Sequence, residues 1–401
     1  MNTINTLRLT DNKLRVLKLL THYNKKIISF PYEKLPDSLI KGKLGLVLYL
    51  CMMYEQNQDE IYIEKITEIL SVIFKSLETT DGNSLLSDSS FGDGLSGLGW
   101  IILMLIEKGL LDEEYRDQIV VFNEIAFEYA DKYLDKNNFD FLYGSIGVLM
   151  FLEKSKNKVL FDKLVDKLYT ISLTNKDLFS TASENPYIGD MNFGFPHGYL
   201  STITILGNAQ VSFGDNKKYQ KIIDKCINRI MNHVEEDYKV ENINIYKPHK
   251  IYYENKKLIS LQNDRLAWCN SDLSLIYLLS KIDHQTKKFK YKAFVNKVGD
   301  SVVKRKSMNV TMIKDDHFCH GSSGVAQLFS ELYGITGDKK YKESQEYWVD
   351  RTIQYLENDL SKKELTRGDM SLYYGYLGAL LMLCSDQGFF SGDWKEVFLI
   401  S

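Results

Sequence analysis

The sequence has little proline, few cysteines and no long uncharged apolar run. Only five of its 401 residues are proline. This leaves long segments free to form uninterrupted helices, and the apolar spacing of residues 61–77 is helical. The five cysteines, at positions 51, 226, 269, 319 and 384, are odd in number and far apart, which favours a reduced compartment over a disulfide framework. The longest apolar run, residues 44–54, is shorter than the roughly 18 residues that a membrane-spanning helix needs.

The sequence also lacks an excess of charge of one sign. Fifty basic and 53 acidic residues give a formal charge of -3, which does not favour binding to nucleic acid or to an acidic membrane surface. The N-terminus carries no secretory signal, so we expect a cytoplasmic protein. Hydrophobic residues make up 44% of the chain and aromatic residues 12%, so the chain has enough apolar surface for a large core.

A pair of small residues three positions apart recurs along the whole chain, and each pair opens a strongly apolar run. The first members recur about every 50 residues, enough for two helices and two connections. For any single pair, an equally good interpretation is that the glycines only mark helix ends in a non-repeating bundle. The regular spacing of seven pairs disfavours that interpretation. The seven pairs are Gly42/Gly45, Gly94/Gly97, Gly144/Gly147, Gly198/Ser201, Ser271/Ser274, Gly321/Gly324 and Gly375/Gly378.

These repeats predict an all-α fold. Seven helical hairpins would form a double-layered α/α toroid that spans residues 1–401 as one domain. The interval between Gly198 and Ser271 is longer than the others by about 20 residues and contains alternating apolar and polar positions. We therefore expect a small β-rich insertion at residues 236–262.

The residues directly before three of the pairs predict a metal site. When the repeats are aligned, Cys269 and Cys319 occupy equivalent positions, and so do His197 and His320. Two Cys and one His suit zinc, and three ligands leave its fourth position open, as in catalytic sites. Taken alone, Cys319 beside His320 would more often be a buried thiol next to an ordinary histidine. Because Cys269 matches by register, we predict zinc bound by Cys269, Cys319 and His320, and we expect the other three cysteines to be core residues.

The motifs at these positions resemble those of the lanthionine synthetase C-like (LanC-like) cyclases. The resemblance covers nearly the whole chain and rests on Arg265-Leu-Ala-Trp268-Cys269, Cys319-His320-Gly321 and Pro196-His197-Gly198. It implies an α/α toroid with one zinc. It also implies thioether formation, in which a peptide cysteine adds to a dehydroalanine or dehydrobutyrine of the same peptide to form a lanthionine ring.

The resemblance also implies roles for three further residues. His197 would manage protons, Arg265 would stabilise the developing enolate, and Asp140 matches the aspartate of the family. By position alone, an Asp near a helix start is often a cap, an Arg before an apolar run is often solvated and a lone His is often structural. The sequence leaves open which of the three donates the final proton, and we favour His197. His317 is either a partner of the metal ligands or a solvent-facing residue.

The chain departs from the family pattern around Cys269. Asn270 stands where many relatives have a tyrosine, and Ser271, Ser274 and Ser201 stand where glycines are usual. These changes leave the zinc ligands intact, so they bear on how the enolate is held and protonated.

We expect a stand-alone lanthionine cyclase. Its substrate would be a dehydrated precursor peptide with a leader, and its partners would include a separate dehydratase and an exporter. The alternatives are glutathione addition to dehydroamino acids in proteins and a non-catalytic, zinc-stabilised scaffold that binds peptides. A carbohydrate-processing toroid would need paired carboxylates, and Asp140 beside thiol ligands argues against it.

Overall fold

The computed structural model describes residues 2–78, 85, 88–174, 191–254, 257–262, 264–390 and 392–400. Two residues of the predicted insertion, 255 and 256, lie outside these ranges. The chain forms two compact units, Met1–Phe74 with Ile313–Ser401 and Lys75–Met312.

Helices dominate the described part of the chain. They are α1 (Asn2–Ile28), α2 (Lys43–Asn57), α3 (Glu60–Leu77), α4 (Leu95–Glu107), α5 (Arg116–Asp135), α6 (Ser145–Lys154), α7 (Lys158–Thr174), α8 (Tyr199–Phe213), α9 (Lys217–Met231), α10 (Asp272–Thr286), α11 (Lys292–Val302), α12 (Met308–Thr311), α13 (Ser322–Thr336), α14 (Lys339–Asn358) and α15 (Tyr376–Asp386). No helix in the described ranges is long and apolar enough to cross a membrane.

Two kinds of helix alternate along the chain. Helices that follow the small-residue pairs are buried almost all round, and in α4 every residue from Leu95 to Ile106 is buried. The helices between them bury a single stripe, such as Tyr219, Ile222 and Cys226 of α9. Apolar residues on all sides require a helix to be enclosed by others, whereas one apolar stripe suits a helix that is covered on one side.

The first small residue of each pair is the N-cap of a buried helix. Gly42, Gly94, Gly144, Gly198, Ser271, Gly321 and Gly375 cap α2, α4, α6, α8, α10, α13 and α15. The turn before the cap is so tight that a Cβ at Gly198 would lie 1.9 Å from the carbonyl oxygen of Asn192. At the equivalent position Ser271 caps α10, and its hydroxyl and that of Ser274 form a reciprocal capping box.

Backbone hydrogen bonds join the turns of successive repeats. In every bond the acceptor is the carbonyl two residues before an N-cap, which gives these turns a common geometry. In the second unit the bonds run from Gly92 N to Leu142 O, from Phe141 N to Pro196 O and from Phe195 N to Cys269 O. In the first unit they run from Cys319 N to Tyr373 O and from Leu372 N to Ile40 O. The last of these bonds joins the final repeat to the first.

Helix α1 packs beside the last repeats and also forms hydrogen bonds through Asn24 to α2 and α3. In the first unit, it contacts α14 and α15. The ring of Tyr23 lies 4.8 Å from that of Tyr376, and the Tyr23 hydroxyl donates to the carbonyl of Leu356. Arg15 forms ion pairs with Asp350 and Glu357. Helix α1 therefore supplies the outer partner of α15.

Short strands lie in the second unit. They are β1 (Met191–Asn192), β2 (Lys239–Val240), β3 (Ile243–Asn244), β4 (Pro248–Glu254) and β5 (Lys257–Gln262). Strands β1, β4 and β5 form an antiparallel sheet in the order β1-β4-β5, and β2 pairs with β3. The β2–β3 turn needs positive φ at both central residues, and Glu241 and Asn242 have φ of 49° and 62°. The β1–β4 pairing places the chain before Lys250 beside the turn that leads to His197.

Candidate metal centre and adjoining residues

In the second unit, the turn that contains Cys269 is fixed by contacts with the chain segment before His197. The carbonyl of Cys269 accepts the N–H of Phe195 at 2.8 Å. Trp268 is fully buried, and its ring stacks on that of Phe195 with centroids 5.9 Å apart. Gly194 has no room for a side chain, because a Cβ there would lie 2.5 Å from the Cys269 carbonyl oxygen. Cys269 is thus fixed by its backbone, while its side chain stays partly accessible.

In the first unit, Cys319 and His320 occupy the turn before α13. Cys319 is 4% exposed, and its N–H donates to the carbonyl of Tyr373 at 3.0 Å. The preceding residue, Phe318, anchors the turn because its ring lies 3.8 Å from that of Phe398 in the core. His320 is half-buried, and its ring lies 5.7 Å from the ring of Tyr374.

Cys269, Cys319 and His320 form a group that suits a metal ion. Each offers one ligand atom, and these atoms lie within 4.8 Å of one another. Zinc binds thiolate at about 2.3 Å and imidazole at about 2.0 Å, so ligand atoms at this separation fit one ion. Two soft sulfur donors and one imidazole favour zinc over magnesium or calcium.

His197 is paired with a buried carboxylate. Its Nδ1 lies 2.6 Å from Oδ2 of Asp140, whose side chain is fully buried, while the side chain of His197 is 26% exposed. Burial lowers the pKa of His197, but the charge and hydrogen bond of Asp140 and the charge of Cys269 outweigh it, so the net pKa is raised. An imidazole held in this way can donate a proton near neutral pH.

Asp140 also has a structural role in its own turn. Its Oδ1 accepts the N–H of Tyr143 at 2.8 Å. At the equivalent position, four residues before the N-cap, Ser38, Ser90 and Ser371 accept backbone N–H groups in the same way. Asp140 therefore stabilises the turn with one oxygen and contacts His197 with the other.

Arg265 and His317 lie in the turns that precede the cysteines. Arg265 is half-buried, and the adjacent Leu266 N–H donates to the carbonyl of Thr311 at 3.0 Å. His317 is half-exposed, with its Nδ1 3.4 Å from Oδ2 of Asp315. Its ring centroid lies 6.1 Å from that of His320, nearly perpendicular to it.

Polar residues that no sequence motif marks pack around Asn270. Asn270 is 4% exposed, and its amide contacts Lys247, His249 and Asn192. Lys247 and His249 lie in the segment that we expect to be β-rich. Their alternation with apolar residues there indicates a strand and gives no sign of a role in the site. A buried lysine could not be told from a surface lysine by that pattern.

The remaining cysteines lie apart from this chemistry. Cys51, Cys226 and Cys384 are fully buried in α2, α9 and α15. Burial raises the pKa of Cys226 and of Cys384 well above the ordinary range, so both thiols stay protonated. Neither has the thiolate character that metal binding requires.

Comparison with known proteins identifies the fold. The sequence profile described as lanthionine synthetase C-like protein matches residues 33–392. Among solved structures, nisin cyclase superimposes with a TM-score of 0.70 over 96% of this chain and 97% of its own, at 19% sequence identity. No curated protein sequence matches the chain. The predicted fold, an α/α toroid with small sheets, is confirmed.

Proposed function

Because this chain belongs to the lanthionine synthetase C-like family, we propose that it is a zinc-dependent lanthionine cyclase. Its substrate would be a precursor peptide in which serine or threonine has been dehydrated to dehydroalanine or dehydrobutyrine. A cysteine of the same peptide would add to the alkene and close a thioether ring.

Cys269, Cys319 and His320 would hold the zinc, leaving one position open. Zinc bound by two thiolates and a neutral imidazole carries little net charge, and it would lower the pKa of a substrate thiol while leaving the thiolate nucleophilic. Cys319 is 4% exposed and held by its backbone, so this turn presents its sulfur in one orientation.

His197 would supply the proton that completes the reaction. Attack at the β-carbon moves an electron pair onto the substrate amide and creates an enolate, which then needs a proton at the α-carbon. The contact with Asp140 keeps hydrogen on Nδ1 and raises the pKa of His197, so Nε2–H is available to donate. Arg265, four residues before Cys269, would stabilise the negative charge of the enolate.

One observation carries the proposal. The turn that carries His197 donates the Phe195 N–H to the carbonyl of Cys269 at 2.8 Å, and Asp140 orients the His197 ring from 2.6 Å. A purely structural zinc site would normally have four protein ligands and no acid beside it. Here a three-ligand group adjoins a histidine–carboxylate pair, as thiol addition followed by protonation requires.

The test uses a synthetic peptide that carries one dehydroalanine and one cysteine. Ring closure conserves every atom, so mass alone does not detect it, but it removes the free thiol. We expect purified protein to protect the peptide from thiol alkylation, and Cys319→Ala to abolish this protection. Addition of glutathione to the peptide instead would support the alternative thiol transferase. An unchanged peptide that binds tightly would support a scaffold.

We further propose that the natural substrate carries a leader, that a separate dehydratase prepares it and that an exporter removes the product. The dehydratase follows from the chemistry, because a cyclase of this kind acts only on residues that have already lost water. Mixing the chain with a dehydratase and a leader-bearing peptide, with and without the leader, tests this requirement directly.

A further inference from the structure

Strand β4 brings a second histidine to the neighbourhood of His197. His249 is half-buried and adjoins Asn270, the residue that follows Cys269. The Asn270 Nδ2 atom lies 2.8 Å from the His249 carbonyl oxygen and 3.2 Å from its Nδ1. His249 is also close enough to His197 and Arg265 to feel their charges. It therefore contacts the residue that follows Cys269, a ligand in the proposed zinc site.

The orientation of the Asn270 amide is fixed by a buried lysine. Lys247 is fully buried, and its Nζ donates to the Oδ1 of Asn270. The His249 carbonyl oxygen at the other end of the amide can only accept a hydrogen bond, so the group that faces it must be NH₂. A second contact agrees, since Nδ2 also donates to Oδ1 of Asn192 at 3.3 Å.

This orientation determines where His249 carries its proton. Because the Asn270 NH₂ group faces Nδ1, that nitrogen acts as the acceptor and the hydrogen resides on Nε2. Burial, together with the charges of Lys247, Arg265, Lys250 and His197, lowers the pKa of His249 to about 4. His249 is thus a neutral imidazole with an N–H donor on the nitrogen remote from Asn270.

We propose that His249 donates a hydrogen bond from Nε2 to the carbonyl oxygen of the dehydroamino residue during thioether formation. The role rests on the proposed function. Asn270 takes part by orienting a donor that comes from β4.

The donor acts without giving up its proton. The sulfur–carbon bond forms at the β-carbon while the alkene π bond breaks, and the electron pair moves to the carbonyl oxygen. His249 stabilises that oxygen as it gains charge, and the α-carbon then receives its proton from a separate acid. A neutral imidazole suits this role, because it binds the developing charge more strongly than the neutral ground state.

The experiment compares His249→Gln with His249→Leu in the zinc-loaded protein, using the dehydroalanine peptide. Glutamine keeps an N–H donor at a similar distance, whereas leucine removes it. We expect leucine to lower kcat roughly 100-fold with little change in KM, and glutamine to retain activity within about tenfold of the wild type. Zinc content should be unchanged in both variants, which separates this role from metal binding.

Nitrogen-15 NMR of selectively labelled histidine provides a readout that does not depend on activity. We expect the His249 signal of the wild type to be that of a neutral ring protonated on Nε2, and the signal to be absent from His249→Gln. A ring protonated on Nδ1 would overturn the inference, and so would a kcat for the leucine variant within about threefold of an active wild type. If the wild type itself closes no rings, the proposed function fails, and the role of His249 fails with it.

Discussion

The Oδ2 atom of Asp140 lies 2.6 Å from Nδ1 of His197. The carboxylate is fully buried, whereas the imidazole is 26% exposed, so the pair has one protected end and one accessible end. A buried carboxylate accepts the Nδ1 hydrogen and fixes the ring, which leaves Nε2 as the nitrogen that exchanges protons. The same carboxylate holds the turn through Tyr143, so its two roles can be separated by mutation.

Asp140→Ser should separate the two roles of Asp140, which are orienting His197 and stabilising its own turn. Serine at this position can still accept the Tyr143 N–H, as Ser90 does from Asp93 in the preceding repeat, but it does not reach His197. We expect ring closure to slow by about 10²-fold, with zinc content retained and the midpoint of thermal unfolding near that of the wild type. His197→Asn should give a similar loss. Full activity in Asp140→Ser would contradict the role of the pair.

The pH dependence of ring closure should depend on Asp140. His197 would act as an acid, so activity should fall as pH rises through its pKa. Burial lowers that pKa, the charge and hydrogen bond of Asp140 raise it, and His249 adds little because it is neutral above about pH 4. Asp140→Asn removes the negative charge, so the alkaline limb of the pH–rate profile should move to lower pH. An alkaline limb that stays in place would mean that another group donates the proton.

Features of the fold and of the site that recur in every repeat could be predicted from the sequence. Glycine at Gly42, Gly144 and Gly375 marks the start of a buried helix because each turn excludes a Cβ, and that steric requirement is visible as a regular spacing. The register then identified Cys269 and Cys319 as equivalent positions. Such reasoning succeeds where one physical constraint recurs along the chain.

The contacts around Asn270 were not predictable in this way. They depend on strand β4, which is not part of the repeat pattern, and on Lys247, whose burial results from tertiary packing. In the sequence, Asn270 stands out only as a departure from a pattern, whereas in the structure its amide joins Lys247 to His249. Sequence position alone makes a helix cap and a partner of His197 alternative roles for Asp140, although the carboxylate has an oxygen for each.

Glycine substitutions should test the packing of the repeats. A Cβ at Gly147 would lie 2.0 Å from the carbonyl oxygen of Phe141 and 2.6 Å from Cβ of Phe91. We expect Gly147→Ala to lower the free energy of unfolding by about 2–3 kcal/mol, measured by urea denaturation. Gly207, inside α8, is the control, because a methyl group there would have no described atom within 4 Å apart from the chain neighbours and backbone of its own helix. Gly207→Ala should raise the stability by roughly 0.5–1 kcal/mol, and equal effects at both sites would refute the packing argument.

The buried pair of Arg305 and Asp272 should matter for stability. Both side chains are almost completely inaccessible, and Asp272 Oδ1 also accepts the N–H of Lys247 at 2.7 Å. Arg305→Met would leave a buried carboxylate without its cation, and we expect a loss of about 3–5 kcal/mol in the free energy of unfolding. Adding Asp272→Asn should restore part of the loss, because the uncompensated charge is then gone. The two side chains are not coupled if Asp272→Asn lowers the free energy of unfolding by the same amount in Arg305→Met as it does in the wild type.

Elemental analysis of zinc tests the central claim most directly. The wild type, Cys269→Ala, Cys319→Ala and Cys384→Ala would be purified under reducing conditions and their zinc content measured. Cys384 is the matched control, because it is a buried thiol outside the proposed ligand group. We predict about one zinc per chain in the wild type and in Cys384→Ala, and almost none in the other two variants. Zinc-free wild type, or zinc that persists without Cys319, would contradict the metal centre and the thiol chemistry built on it.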